Sequence, residues 1–326
     1  MIIVKSPLRV SLTGGGSDIE NFYKHHDGHV VSMAINKYVY TCVNNHFENK
    51  LKVSYSEIEN VSDAKFLKHK LIKKILKHFS LKKGVEISSI ADVPSNGSGL
   101  GGSSTFACSL VQALQFFLHN ETLKKKNLSK IAYDIEKGKD SLNAGKQDHI
   151  ATVYGGLNHI IFKKNDKVKI NKLNLNNSFK KKFEDRLFLV HTGLNHNTKN
   201  NLKDQFKSMK KKNFKLLIEL VKLSKILSTN FKNNSLDNFG DILNQSWMLK
   251  KRLGDNVSNF KIDQLYEDLI NIGVTGAKLL GSGGGGFLLC YTEKKNKFDI
   301  IKKLKNKKII NFQIEKNGTS LYNLAP

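Results

Sequence analysis

Cysteine is scarce. The chain has three, Cys42, Cys108 and Cys290, far apart and each in an apolar stretch. That excludes a disulfide framework and the close spacing of a cysteine metal site, so a reduced, cytoplasmic protein is expected. No run reaches the roughly eighteen apolar residues of a membrane-spanning helix, and Met1-Ile2-Ile3-Val4-Lys5 lacks a charged-then-apolar leader layout. No membrane partner is expected. Acidic side chains are also in short supply, with 28 Asp and Glu against 54 Lys and Arg and a net charge of +26. A nucleic-acid reader would gather that excess into a basic stripe with interleaved aromatics. Here Lys167, Lys169, Lys172, Lys180, Lys181 and Lys182 are scattered among Asn and Ile, which reads as compositional drift. No nucleic-acid partner is expected, while the basic field would still attract small phosphorylated molecules.

At 326 residues and 39% hydrophobic content, the chain exceeds one typical domain and can bury real cores, so two domains sharing a cleft are expected. Residue patterns predict an α+β protein. Strands are predicted at 1–13, 37–44 and 51–55, the last two as a hairpin, and at 84–91, 156–162, 187–191 and 287–291. Helical spacing marks 66–79, 103–118, 128–137, 201–231 and 262–272. The polar, Lys- and Asn-rich segment 163–182 reads as a junction, giving domains at 1–170 and 180–326. No fixed-period repeat is present.

Four segments carry chemistry. The first runs from Pro94 to Ser104 and contains Gly97, Ser98, Gly99, Leu100, Gly101, Gly102 and Ser103. It follows a strand and opens an apolar helix. Its glycines permit positive φ and close backbone approach, and the helix adds the positive end of its dipole, so polyphosphate is a natural ligand. The Ser103 and Ser104 hydroxyls lie where they can reach a phosphate oxygen or Mg²⁺. The loop is neither a Walker A motif nor a dinucleotide fingerprint, because Lys and spacing are wrong. The second segment delivers Arg9 on a strand, then Gly14, Gly15, Gly16, Ser17 and Asp18 on a turn. Arg9 can neutralise a transferring phosphoryl group. Asp18 can accept from sugar hydroxyls or cap its own turn. In the third, Gly145-Lys146-Gln147-Asp148, the aspartate can take a proton from a hydroxyl or cap a helix. The fourth, from Gly276 to Phe287, includes Lys278 and four consecutive glycines, Gly283 to Gly286, which indicate close backbone approach.

Together these segments resemble, in order and over nearly the whole chain, the GHMP kinase superfamily. Leu12 to Asp18, Gly145 to Asp148 with Tyr154-Gly155-Gly156, and Ser246 to Lys251 are similar to the bacterial heptose 7-phosphate kinase group within it. The resemblance implies an N-terminal ribosomal-protein-S5-like domain and a C-terminal ferredoxin-like domain, with ATP and sugar meeting between them. It implies ATP phosphates held by Pro94 to Ser104, Asp148 as catalytic base and Arg9 as its cationic partner; Lys146, two residues before Asp148, is a further candidate to stabilise charge on the transferring group. It further implies Mg²⁺ near Ser103 and Glu136, and Asp18, Gly15, Gly16, Ser17, Gly283 and Gly284 around the sugar. Gly15 and Gly16 stand where galactokinases carry Glu-His, which argues against galactose. Relatives often carry Arg where this chain has His196; His196, with Lys199 near it, would meet a substrate phosphate there only when protonated. The implied reaction is ATP-dependent phosphorylation of an anomeric hydroxyl, yielding heptose 1,7-bisphosphate for nucleotide-heptose and surface-glycan synthesis. A fucose-type or other sugar, a non-catalytic sensor of the same fold, and a homodimer remain open alternatives.

Overall fold

The computed structural model describes residues 1–94, 97–137, 145–194 and 211–324. The first part of the chain forms β1 (Ile2–Thr13), α1 (Glu20–Tyr23), β2 (Gly28–Asn45), β3 (Leu51–Ser54), β4 (Ile58–Val61), α2 (Lys70–His78) and β5 (Val85–Ala91). It continues through α3 (Gly102–His119), α4 (Lys125–Lys137), α5 (Gln147–Tyr154), β6 (Leu157–Phe162) and β7 (Val168–Lys172). β2 organises this half. One edge pairs with β1 along most of its length, while the other pairs first with β6 and then with β5. The alternation of β1 places Val4, Leu8, Val10 and Leu12 in the core. There they meet α3, which packs on β1 and β2. Leu110, Val111 and Leu114 of α3 are wholly buried, each contributing on the order of 1.5–3 kcal/mol.

The second part forms α6 (Asn177–Glu184), β8 (Leu187–His191), α7 (Lys211–Lys232), α8 (Phe239–Lys251), α9 (Phe260–Asn271), β9 (Gly276–Leu279), β10 (Phe287–Tyr291), α10 (Lys294–Lys303), β11 (Ile309–Ile310) and β12 (Ser320–Asn323). An antiparallel sheet in the order β11-β8-β10-β9 buries Phe188, Val190 and Leu288 against Trp247 of α8 and Ile262 and Leu269 of α9.

Three differences from the sequence expectations are physical. The 37–44 and 51–55 strands do not form a hairpin. β5 lies between them, antiparallel to β2 and parallel to β3, and buries Val85 and Ile87. The polar junction holds β7 and α6, because β7 is an edge strand with no buried side chain, leaving no hydrophobic alternation to read. Finally, β12 returns to pair with β1, so the chain's last strand joins the first sheet across the boundary expected near residue 180.

The pairing of β1 with β2 slips twice, between Pro7 and Arg9 and between Ser11 and Thr13. Such irregularities re-aim side chains. Arg9 sits between them, and its own N–H donates to the Leu100 carbonyl at 3.0 Å. The phosphate-type loop is thereby docked onto the strand where its register breaks.

Candidate active site

Arg9 is 5% exposed, a cost for a guanidinium unless it is fully paired. Its Nε donates to Asp148 Oδ1 at 2.7 Å, its Nη2 to Asp148 Oδ2 at 2.6 Å, and its Nη1 to the Gly99 carbonyl at 2.5 Å. Asp148 lies in the first turn of α5, where a carboxylate is favoured by the helix dipole. Its side chain remains 22% exposed. One cation therefore orients a solvent-accessible carboxylate and touches the glycine loop.

That loop owes its shape to alternating glycines. Gly97, Gly99 and Gly101 all have φ near +75° (74°, 75° and 76°), a region that L-residues avoid. Three successive carbonyls are tied inward: Ser98 accepts from Phe287 N, Gly99 from Arg9, and Leu100 from Arg9 N. The C-terminal glycines do make a close approach, but to this chain's own backbone. A Cβ on Gly281 would lie 2.5 Å from Gly99 Cα, and one on Gly286 would lie 2.6 Å from the Ser98 oxygen. Gly283 would collide with Val257, and Gly284 N donates to the Val257 carbonyl at 2.9 Å. Gly281 and Gly286 thus seat one domain's turn on the other's loop, while Gly283 and Gly284, expected around the sugar, pack on Val257 of their own domain.

At the start of α3, Ser103 Oγ donates to Glu136 Oε1 at 2.5 Å and Ser104 Oγ to Oε2 at 2.7 Å. His149 Nε2 stands 2.8 Å from the same Oε2. Burial opposes ionisation of Glu136, yet His149 and the two serine hydroxyls outweigh it and hold its carboxyl at about 2. An ionised carboxylate beside hydroxyls is a hard-oxygen donor set that suits Mg²⁺ completed by phosphate oxygens. His149, which carries no signal in sequence beyond its place after Asp148, is 2% exposed and lies edge-on to Tyr133.

In the Gly14–Asp18 turn the hydrogen bonds fit the capping reading of Asp18. Ser17 is fully buried, donating to the Gly14 carbonyl at 2.7 Å and accepting from His29 N at 3.1 Å. Asp18, 1% exposed, accepts from Gly16 N and Gln147 N, each at 3.0 Å. Desolvation raises its pKa, opposed by the Gln147 amide. Ser17 holds the turn against β2 and Asp18 holds it against the start of α5, and only Gly15 and Gly16 stay partly exposed. Lys146 is likewise turned away from Asp148: its ammonium bridges Asp166 at 2.6 Å and lies over the Tyr23 and Tyr133 rings. His196 and Lys199 lie outside the described residues.

A glycine loop at a helix start, backed by an Arg–Asp pair and a Ser–Glu pair between two sheets, finds its counterpart in known proteins. The model of the GHMP kinases N terminal domain matches residues 67–156, and that of the GHMP kinases C terminal region matches residues 227–310. The chain belongs to the GHMP kinases. As a GHMP kinase it is a phosphotransferase, and it is similar to other members over its full length. It is 29% identical to the D-glycero-alpha-D-manno-heptose 7-phosphate kinase of Campylobacter jejuni, over 99% of each chain. In fold it is similar to a D-glycero-D-manno-heptose 1-phosphate kinase from Bacteroides thetaiotaomicron, with a TM-score of 0.81, 22% identity and full coverage of both chains. The Lactococcus lactis galactokinase solved with galactose gives a TM-score of 0.74 at 18% identity, covering 98% of this chain and 95% of the other. The last two show the fold alone.

Proposed function

We propose that this GHMP kinase transfers the γ-phosphoryl group of ATP to the anomeric hydroxyl of D-glycero-D-manno-heptose 7-phosphate, giving the 1,7-bisphosphate that nucleotide-heptose synthesis consumes. The observation that carries the reading is the Arg9–Asp148 pair set against the glycine loop. The heptose assignment is supported by the Campylobacter jejuni relative, matched end to end, and by Gly15 and Gly16, which stand where galactokinases carry Glu-His.

In this reading the loop from Pro94 to Ser104 and the first turn of α3 hold the triphosphate. Their inward-tied carbonyls leave amides and the helix dipole to meet negative charge. Asp148 accepts the proton of the sugar hydroxyl as its oxygen bonds to the γ-phosphorus and the bond from that phosphorus to the ADP oxygen breaks. Arg9 keeps Asp148 oriented and lends positive charge close to the transferring group, the kind of positioning and charge stabilisation on which phosphoryl transfer depends. Ser103 and Glu136 would hold Mg²⁺, which would offset charge on the phosphate oxygens.

Asp148→Asn tests the assignment, because it keeps the shape and removes the base. Turnover should fall by about 10²–10⁴-fold with ATP affinity retained. Near-normal turnover would refute the role of Asp148.

A further inference from the structure

Two lysines that this reaction leaves unused lie where the domains meet, Lys278 buried and Lys250 half-buried. Lys278 of β9 is 3% exposed and reaches across to β1, where its ammonium donates to the carbonyls of Ser11 at 3.0 Å and Leu12 at 2.9 Å. Lys250, near the end of α8, donates to the Leu279 carbonyl at 3.0 Å and to the Gly281 carbonyl. All four partners are neutral. Desolvation draws the pKa of Lys250 down to about 7, with the Arg9 charge adding to it and Asp148 opposing it. Desolvation also lowers Lys278, with Lys250 and Arg9 contributing. Three cations, Arg9, Lys250 and Lys278, are thus within electrostatic reach of one another, and Arg9 alone is paired with Asp148. Buried positive charge without a counter-charge is costly. It is relieved by loss of a proton or by arrival of an anion.

The carbonyl that Lys250 holds belongs to Gly281, whose backbone lies directly on Gly99 of the phosphate loop. Lys250 therefore grips the turn that covers the loop.

We propose that Lys250 is a positioning residue that couples anion binding in the cleft to the seating of the C-terminal glycine turn on the phosphate loop. The inference rests on the kinase reading in taking the anion to be a nucleotide polyphosphate. A polyphosphate beside Gly99 favours the ammonium form of Lys250, and the ammonium bonds the Gly281 carbonyl more strongly than the neutral amine does. Nucleotide binding then draws a proton onto Lys250, and by linkage the protonated form binds nucleotide more tightly. The charged groups acting on Lys250 are Arg9 on β1, Asp148 on α5 and Lys278 on β9. On its own helix Lys251 is bridged to Asp263 of α9 at 2.6 Å.

The test is calorimetric titration of the full chain with Mg·ADP at about pH 7.5, in buffers of differing ionisation enthalpy, which counts protons exchanged on binding. The wild type should take up about half a proton or more per nucleotide. Lys250→Arg keeps the charge at every pH and should abolish the uptake, and Lys250→Met should abolish it and weaken binding by about tenfold. Binding without proton uptake in the wild type overturns the proposal. So does uptake that persists in both variants, which would point to Lys278. Failure of the wild type to bind nucleotide at all would overturn the kinase reading itself, and this inference with it.

Discussion

Arg9 and Asp148 meet fork to fork, Nε to Oδ1 and Nη2 to Oδ2, while the third nitrogen of the same guanidinium holds the Gly99 carbonyl. One side chain therefore sets both the orientation of the carboxylate and the position of the glycine loop.

Lysine cannot reproduce that geometry, because an ammonium is a point charge without a planar fork. Arg9→Lys should lower turnover by about 10²-fold or more, the scale of losing one oriented charge-stabilising group. Nucleotide affinity should fall with it, since Gly99 loses its tether. Steady-state kinetics with a separate nucleotide titration checks both effects, and unchanged turnover would mean that positive charge alone suffices.

The contact of Gly281 with Gly99 makes a steric expectation that a second glycine isolates. Gly193 and Gly281 both have positive φ, 77° and 70°. Among the described residues a Cβ at Gly193 meets nothing within 4 Å, whereas one at Gly281 would lie 2.5 Å from Gly99 Cα. Gly193→Ala should show only the backbone penalty, about 1–2 kcal/mol. Gly281→Ala should cost more and weaken nucleotide binding as well. Thermal melts with and without Mg·ADP separate the two.

A buried histidine pair contributes to the acid sensitivity of stability. His29 Nδ1 and His159 Nε2 are 2.9 Å apart, and His159 Nδ1 is 2.9 Å from Ser228 Oγ of α7. Desolvation lowers both to about 4, with His159 adding at His29 and Lys232 and Lys225 adding at His159. Their folded values lie below the unfolded 6.5, so the unfolded chain binds protons first. Their contribution is complete above about pH 6.5 and is lost as pH falls through about 4. Melting temperatures across that window should decline, and His159→Gln should flatten the decline. An equally steep decline in the variant would place the sensitivity elsewhere.

Much of this site was legible in the sequence because backbone constraints leave residue-type signatures. The glycines at 97, 99 and 101 announce a loop of positive φ, and the helix after it announces a dipole. Arg9 and Asp148 were legible as candidates, but 139 positions separate them and only folding supplies the pairing. Glu136 was legible only through family likeness, since one acid near the end of an amphipathic helix looks like solvated surface. Asp18 has two readings in the sequence, a sugar contact or a cap on its own turn. Only the fold supplies the bonds from Gly16 N and Gln147 N that fit the cap, and the burial of Ser17 against β2. Lys278 stood in view inside an apolar strand, yet its partners are backbone carbonyls, which no side-chain pattern reveals.

The central claim is sugar-dependent phosphoryl transfer, and ³¹P NMR tests it most directly. Purified protein with Mg²⁺ and ATP would be offered D-glycero-D-manno-heptose 7-phosphate beside mannose, fucose, galactose and homoserine. The expected result is ATP consumption with the heptose phosphate and a new anomeric phosphate signal, with galactose inert. Transfer to fucose or mannose alone would overturn the heptose assignment and leave the kinase standing. No transfer to any acceptor, with nucleotide still bound, would contradict the account.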